Sequence, residues 1–149
     1  NFYTEYNYTK DIDSLKQDLL TYQKPLVIAG GGVRQSGSVK EFKEFVEKYE
    51  LPFVSTFLGC DLISSSLSLG AIGPKGKRCA NFALMNCDLL IVCGCQLNIC
   101  HVGYLPDQFC PKARKITVDI DKDVHKKELV KLDKVINCDL KDFFLYANQ

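Results

Sequence analysis

Apolar residues along this chain switch between two spacings. Ile12, Leu15, Leu19 and Tyr22 recur every three or four positions, the stripe of a helix with one buried face. Pro25-Leu26-Val27-Ile28-Ala29 is instead an unbroken apolar run closed by Gly30-Gly31-Gly32, the pattern of a parallel strand covered on both sides. A second helical stripe follows at Val39, Phe42, Phe45, Val46 and Tyr49, and Ser38 with Glu41 has the spacing of a capping box at its start. Pro52 to Thr56 reads as the next strand.

The pattern then loosens. Gly59 to Lys77 reads as a long loop with a turn of helix near Leu62, because Gly70, Gly73, Pro74 and Gly76 interrupt any period. Ala80, Ala83, Leu84 and Cys87 mark a third helix, Leu89 to Cys93 is the clearest strand, and Gly94 stops it. A second loop runs from Cys95 to Ala113, punctuated by Pro106 and Pro111. Lys115 to Ile120 and Lys134 to Asn137 read as two more strands, and Leu140, Phe143, Phe144 and Ala147 as a closing helix. Strands alternating with helices imply parallel pairing through right-handed crossovers. The expected fold is a doubly wound, mainly parallel α/β sheet with helices on both faces, whose ligands bind beyond the carboxyl ends of the strands.

Composition narrows the function. Nineteen basic residues against 18 acidic give a net charge of +1, which is not the balance of a nucleic-acid binder. No apolar run approaches the ~20 residues that cross a bilayer, and the start lacks the basic and apolar regions of a signal peptide. The expectation is a cytoplasmic protein with neither nucleic acid nor membrane as partner, whose residues 1–11 are a linker from a preceding domain and whose residues 12–149 form one domain. The eight cysteines are expected as reduced thiols. Cys79, Cys87 and Cys93 fall in helix and strand patterns as small buried hydrophobes, and Cys93, Cys95, Cys100 and Cys110 lack the paired knuckles of a structural zinc site.

Several residues are candidates for chemistry. Gly30-Gly31-Gly32, between a strand and a helix, suits either a tight turn or backbone donors for a pyrophosphate. The full dinucleotide fingerprint fails, since Gln35 stands where the last glycine belongs and no acidic residue closes the second strand. Lys75, Lys77 and Arg78 form a basic start to a helix, read as solvated surface unless an anion is near. Asp119 and Asp121, set to one side of the strand end by alternation, either accept hydrogen bonds from a ribose or end the strand. Asp139 is a helix N-cap. His101 and His125 have no partner at a telling spacing, and no motif of a catalytic centre is present.

The order of the pieces is more specific than any one of them. Lys24-Pro25-Leu26-Val27-Ile28-Ala29-Gly30-Gly31-Gly32-Val33-Arg34, Leu51-Pro52-Phe53-Val54-Ser55-Thr56, Gly73-Pro74-Lys75-Gly76, Cys87-Asp88-Leu89-Leu90-Ile91-Val92-Cys93-Gly94 and Ile116-Thr117-Val118-Asp119-Ile120-Asp121 follow one another. This series closely resembles the central domain of thiamine-diphosphate-dependent enzymes of the acetolactate synthase and 2-oxo acid decarboxylase family. The resemblance implies about six strands in a Rossmann-like fold of the FAD- or NAD-binding type. It also implies a longer parent, a transferase or lyase acting on a 2-oxo acid as a homodimer or homotetramer. In that parent, flanking pyrimidine- and diphosphate-binding domains hold thiamine diphosphate and Mg2+. This chain has no G-D-G motif and is expected to catalyse nothing alone. A self-standing nucleotide-binding module is the alternative.

The resemblance further implies a nucleotide site. Gly31, Gly32 and Val33 match the pyrophosphate loop, Thr56, Gly73 and Gly76 match loops lining a flavin, and Asp119, Asp121 and Asp139 match contacts near the adenosine half. FAD-binding members carry arginine at the positions of Gln96 and, often, Cys100. Without those guanidinium groups, FAD is expected to bind weakly or not at all, and an ADP-like ligand is the nucleotide the loop retains.

Overall fold

The computed structural model describes residues 7–149. Its centre is a six-stranded sheet, parallel throughout. The strands are β1 (Pro25–Ala29), β2 (Phe53–Ser55), β3 (Ser68–Ala71), β4 (Leu89–Cys93), β5 (Arg114–Asp119) and β6 (Lys134–Asn137), in the order β3-β2-β1-β4-β5-β6. The doubly wound α/β fold expected from the alternation is the observed one. The chain moves outward from β1 to β3, then returns to the other side of β1 as β4. The strand order therefore reverses between β1 and β4, which is where such sheets open a crevice.

Side-chain alternation explains why the central strands are apolar without a break. Val27, Ala29, Leu89, Ile91, Cys93, Ile116 and Val118 enter one core, while Leu26, Ile28, Leu90 and Val92 enter the other. Helices α1 (Tyr8–Thr21), α3 (Val39–Lys48) and α6 (Leu140–Ala147) cover the first face. Phe42, Phe45, Phe53, Phe143 and Phe144 interlock there, with ring centroids 5.1–5.7 Å apart in tilted and edge-on pairs. Helix α4 (Arg78–Asn86) and the segments flanking β5 cover the second.

The structure departs from the sequence reading where chain punctuation misleads. The long loop after β2 contains β3, whose residues are half exposed and include Gly70, so no apolar run announces it. The helical turn expected near Leu62 is a 3-10 turn at Phe57–Gly59. The loop after β4 holds a short helix, α5 (Ile99–Val102), capped by the Asn98 side chain, and a 3-10 turn at Pro106–Gln108. Helix α1 begins at Tyr8, inside the stretch read as linker, because the Asn7 side chain caps it; residues 1–6 of that stretch lie outside the described residues.

The glycine turn leads into a helix of only four residues, α2 (Gly32–Gln35), before α3 begins. The capping box of α3 does not form. Ser38 is fully buried and its hydroxyl donates to the Val33 carbonyl at 3.2 Å, so it closes α2 instead of capping α3. Glu41 faces Lys141 of α6, 3.9 Å away. Cys79 is exposed, contrary to the helical stripe that suggested burial; its thiol donates to the Leu69 carbonyl at 3.3 Å. All eight cysteines are free thiols. No helix of the described residues is long and apolar enough to cross a membrane.

Candidate functional site

At the carboxyl edge of β1 and β4 two backbone turns are pressed together. The Gly30 amide donates to the Cys93 carbonyl and the Gly32 amide to the Gly94 carbonyl, both at 2.9 Å. A Cβ on Gly32 would lie 2.6 Å from the Gly94 Cα, and Gly94 itself has φ +59, so glycine is required at both. These contacts assign the glycines different work. Gly32 spends its amide and its missing side chain on closing the turn, whereas Gly31 is half-buried and its amide has no partner among the described residues. Of the pyrophosphate donors expected from sequence, Gly31 is the one left to a ligand.

Two clefts flank this contact. The first, of about 310 Å³, is lined by Gly32, Ser36, Gly94, Gln96, Asp119 and Asp139. The second, of about 280 Å³, includes Gly31, Thr56, Leu58, Cys95, Gln96 and His101. Gln96 lines both and is exposed at their junction. In the first cleft, Asp119 Oδ1 accepts from the Asp121 amide at 2.8 Å and Asp139 Oδ1 accepts from the Lys141 amide at 2.7 Å, which fixes both carboxyl groups with oxygens to spare for hydroxyl donors.

The remaining sequence candidates divide. Val33 is fully buried and packs in the first core, so it supports the loop from beneath. Asp121 lies past the end of β5 and lines neither cleft; it accepts from the Asp123 amide and pairs with Lys127. Thr56 ties its amide to the Ala29 carbonyl at 3.1 Å. Gly73 lines a third, larger cleft with Leu84, Cys100 and Tyr104, and Gly76 closes the β3–α4 turn by donating to the Gly73 carbonyl at 2.9 Å. Lys75, Lys77 and Arg78 line neither of the clefts that share Gln96. Arg34, next to the glycine loop, is engaged by Asp61 at 2.7 Å.

Two further participants belong to none of the motifs read from the sequence. His101 is half-buried, with Nδ1 3.2 Å from the Gln96 carbonyl and 3.9 Å from Cys95 Sγ, and burial holds its pKa below the ordinary histidine value. The His125 side chain lies outside the described residues. Glu128, far along the chain, accepts from the Leu97 amide at 2.7 Å and so reaches the loop that carries Gln96. The spacing of Asn98 before Cys100 and His101 was the readable part of this arrangement, since asparagine commonly caps a helix. No group of three or more His, Cys, Asp or Glu side chains is arranged to hold a metal ion among the described residues.

The profile of the family described as "Thiamine pyrophosphate enzyme, central domain" matches residues 12–144. The chain is 41% identical over 138 residues to the acetolactate synthase large subunit of Lactococcus lactis subsp. lactis (strain IL1403), an alignment covering 89% of this chain and 24% of that protein. With the acetolactate synthase isozyme 2 large subunit of Escherichia coli (strain K12) it shares 34% identity over 113 residues, covering 74% of this chain and 20% of the relative. The probable acetolactate synthase large subunit of Methanocaldococcus jannaschii is 36% identical over 101 residues, 66% of this chain and 17% of that protein. The chain thus spans a quarter or less of the length of these relatives. The parallel sheet, the glycine turn at its switch point and a match over residues 12–144 agree: the chain belongs to the central-domain family of thiamine pyrophosphate enzymes, and within it is acetolactate synthase-like.

Proposed function

We propose that this chain is the structural, nucleotide-binding central domain of a thiamine-diphosphate- and magnesium-dependent enzyme acting on a 2-oxo acid, and that its own ligand is an ADP-type nucleotide rather than FAD. The observation that carries the second part is the first cleft. At about 310 Å³ it lies at the small end of cofactor sites, which run roughly 300–1,000 Å³, so it suits one nucleotide half. Asp119 and Asp139 offer acceptors to ribose hydroxyls across from the glycine turn. A whole flavin dinucleotide would extend past Gln96 into the second cleft, and Gln96 brings no positive charge to the pyrophosphate at that crossing.

Thiamine diphosphate supplies an electron sink to such an enzyme when bound. Its magnesium and diphosphate belong, in this reading, to the flanking domains, since this chain has no G-D-G motif. The chain's own residues present a nucleotide face and a rigid sheet between neighbouring domains of a dimeric or tetrameric parent.

Equilibrium titration of the 149-residue chain with ADP and with FAD tests the reading. ADP is expected to bind and FAD to bind no more tightly, and the chain supplied with thiamine diphosphate, Mg2+ and pyruvate is expected to leave the pyruvate intact. Tight FAD binding, yellow protein as isolated, or turnover of pyruvate by this chain alone would overturn it.

A further inference from the structure

Glu128 belongs to none of the motifs above, yet it is bonded to the loop that carries Gln96. It follows the 3-10 turn at Val124–Lys126, and its Oε2 accepts from the Leu97 amide at 2.7 Å. Leu97 is fully buried in the second core, and its neighbour Gln96 is the residue shared by both clefts. One carboxyl group from 31 residues downstream therefore pins the start of the loop after β4. The other oxygen, Oε1, is buried and has no hydrogen-bond partner among the described residues. An orphaned carboxyl oxygen is costly as an anion and much less so as a neutral acid.

Resting on the nucleotide reading above, we propose that Glu128 is the positioning residue of the Gln96 loop and that its charge state sets how well the neighbouring face accepts an anionic ligand. The groups around it make the coupling one-sided. Asp119, from the end of β5, and the Cys95 thiol, from the end of β4, face it, and no cation pairs with Glu128 among the described residues. Lys127, its neighbour in sequence, is committed to Asp121. Desolvation raises the Glu128 carboxyl to about 7, the bond from the Leu97 amide pulling it back and Asp119 pushing it further up. Burial first, then Glu128 and Asp119, push the Cys95 thiol up to about 12, so that it stays neutral throughout.

Below neutrality the carboxyl is uncharged and still accepts from Leu97. Above it, its negative charge adds to that of Asp119, which lines the first cleft, and phosphate affinity there falls. Glutamine at this position keeps an acceptor for the Leu97 amide and never ionises. Alanine leaves that amide without a partner.

The test combines two readouts on wild type, E128Q and E128A. Calorimetric titration with ADP at about pH 6 and about pH 8 is expected to show wild type losing roughly five- to tenfold more affinity across this range than E128Q, a comparison that cancels the ionisation of ADP itself. E128A is expected to bind weakly at both. The backbone amide resonance of Leu97, followed by NMR without ligand, is expected to titrate near neutrality in wild type and to stay still in E128Q. Equal pH dependence in wild type and E128Q, or a Leu97 resonance indifferent to pH in wild type, would overturn the inference. If ADP binds at no pH, the nucleotide reading and the ligand half of the coupling both fall, and the Leu97 resonance still decides whether Glu128 positions the loop.

Discussion

The two faces of the sheet are built differently. On one, α1, α3 and α6 close over an aromatic cluster in which Phe144 meets Phe42, Phe45 and Phe143. On the other, α4 shares the covering with loop segments, and large apolar side chains remain outside: Phe82 is 71% and Tyr104 91% exposed. The first face spends its apolar residues on holding the strands together. The second is assembled from α4 and loop segments, and the third cleft opens among them. The first cleft lies instead at the carboxyl edge, between the glycine turn, the Gln96 loop and the start of α6. The two faces should therefore respond differently to the same kind of substitution.

Phe144→Ala should give the largest loss, about 3–5 kcal/mol in denaturant unfolding, because the ring is enclosed by others that cannot collapse into the space. Leu84→Ala should cost less, roughly 2–3 kcal/mol, since Leu84 borders the open third cleft and its neighbours can relax. Equal losses would erase the distinction between the faces. Gly32→Ala should come next. Its Cβ would sit 2.6 Å from the Gly94 Cα, and forcing the turns apart should cost about 1–3 kcal/mol and weaken ADP binding.

Glu128 gives a smaller, pH-dependent effect. Its carboxyl lies higher in the folded protein, at about 7, than in the unfolded chain, so the unfolded chain ionises first as pH rises. Stability contributed by the neutral form is complete below the unfolded value, near 4.5, and is lost as pH rises through about 7. E128Q should match wild type near pH 5 and exceed it near pH 8 by on the order of 1 kcal/mol, a figure discounted for partial exposure. Unfolding at the two pH values checks this. Tyr104→Ser should change stability by less than about 0.5 kcal/mol, because the ring is solvated in this chain.

What could be read from sequence follows the same division. The strands at 25–29, 89–93 and 134–137 and the helix at 140–147 were legible because burial on one or both faces imposes an unbroken or regular apolar pattern. β3 was hidden because an edge strand of half-exposed residues around Gly70 needs no such pattern. Among site residues, Gly31, Gly32, Gln96, Asp119 and Asp139 could be singled out by their places in an ordered series of motifs, and the structure gathers them around the switch point. Glu128 could not. Its partnership with Leu97 spans 31 residues and depends on how the segment after β5 folds back, which no local spacing records. The Ser38–Glu41 box failed for a related reason: local spacing suggested a cap, but burial gave Ser38 a closer acceptor in the Val33 carbonyl.

In the proposed reading, the side chain at position 96, where the two clefts meet, sets which nucleotide this face accepts. Parallel FAD titrations of wild type and Q96R test it most directly. A charge-assisted hydrogen bond is worth about 1.5–3 kcal/mol, so Q96R is predicted to bind FAD roughly tenfold to a hundredfold more tightly than wild type, with ADP affinity moving less. Submicromolar FAD binding by the wild-type chain, or a Q96R variant no better than wild type, would refute this role for position 96.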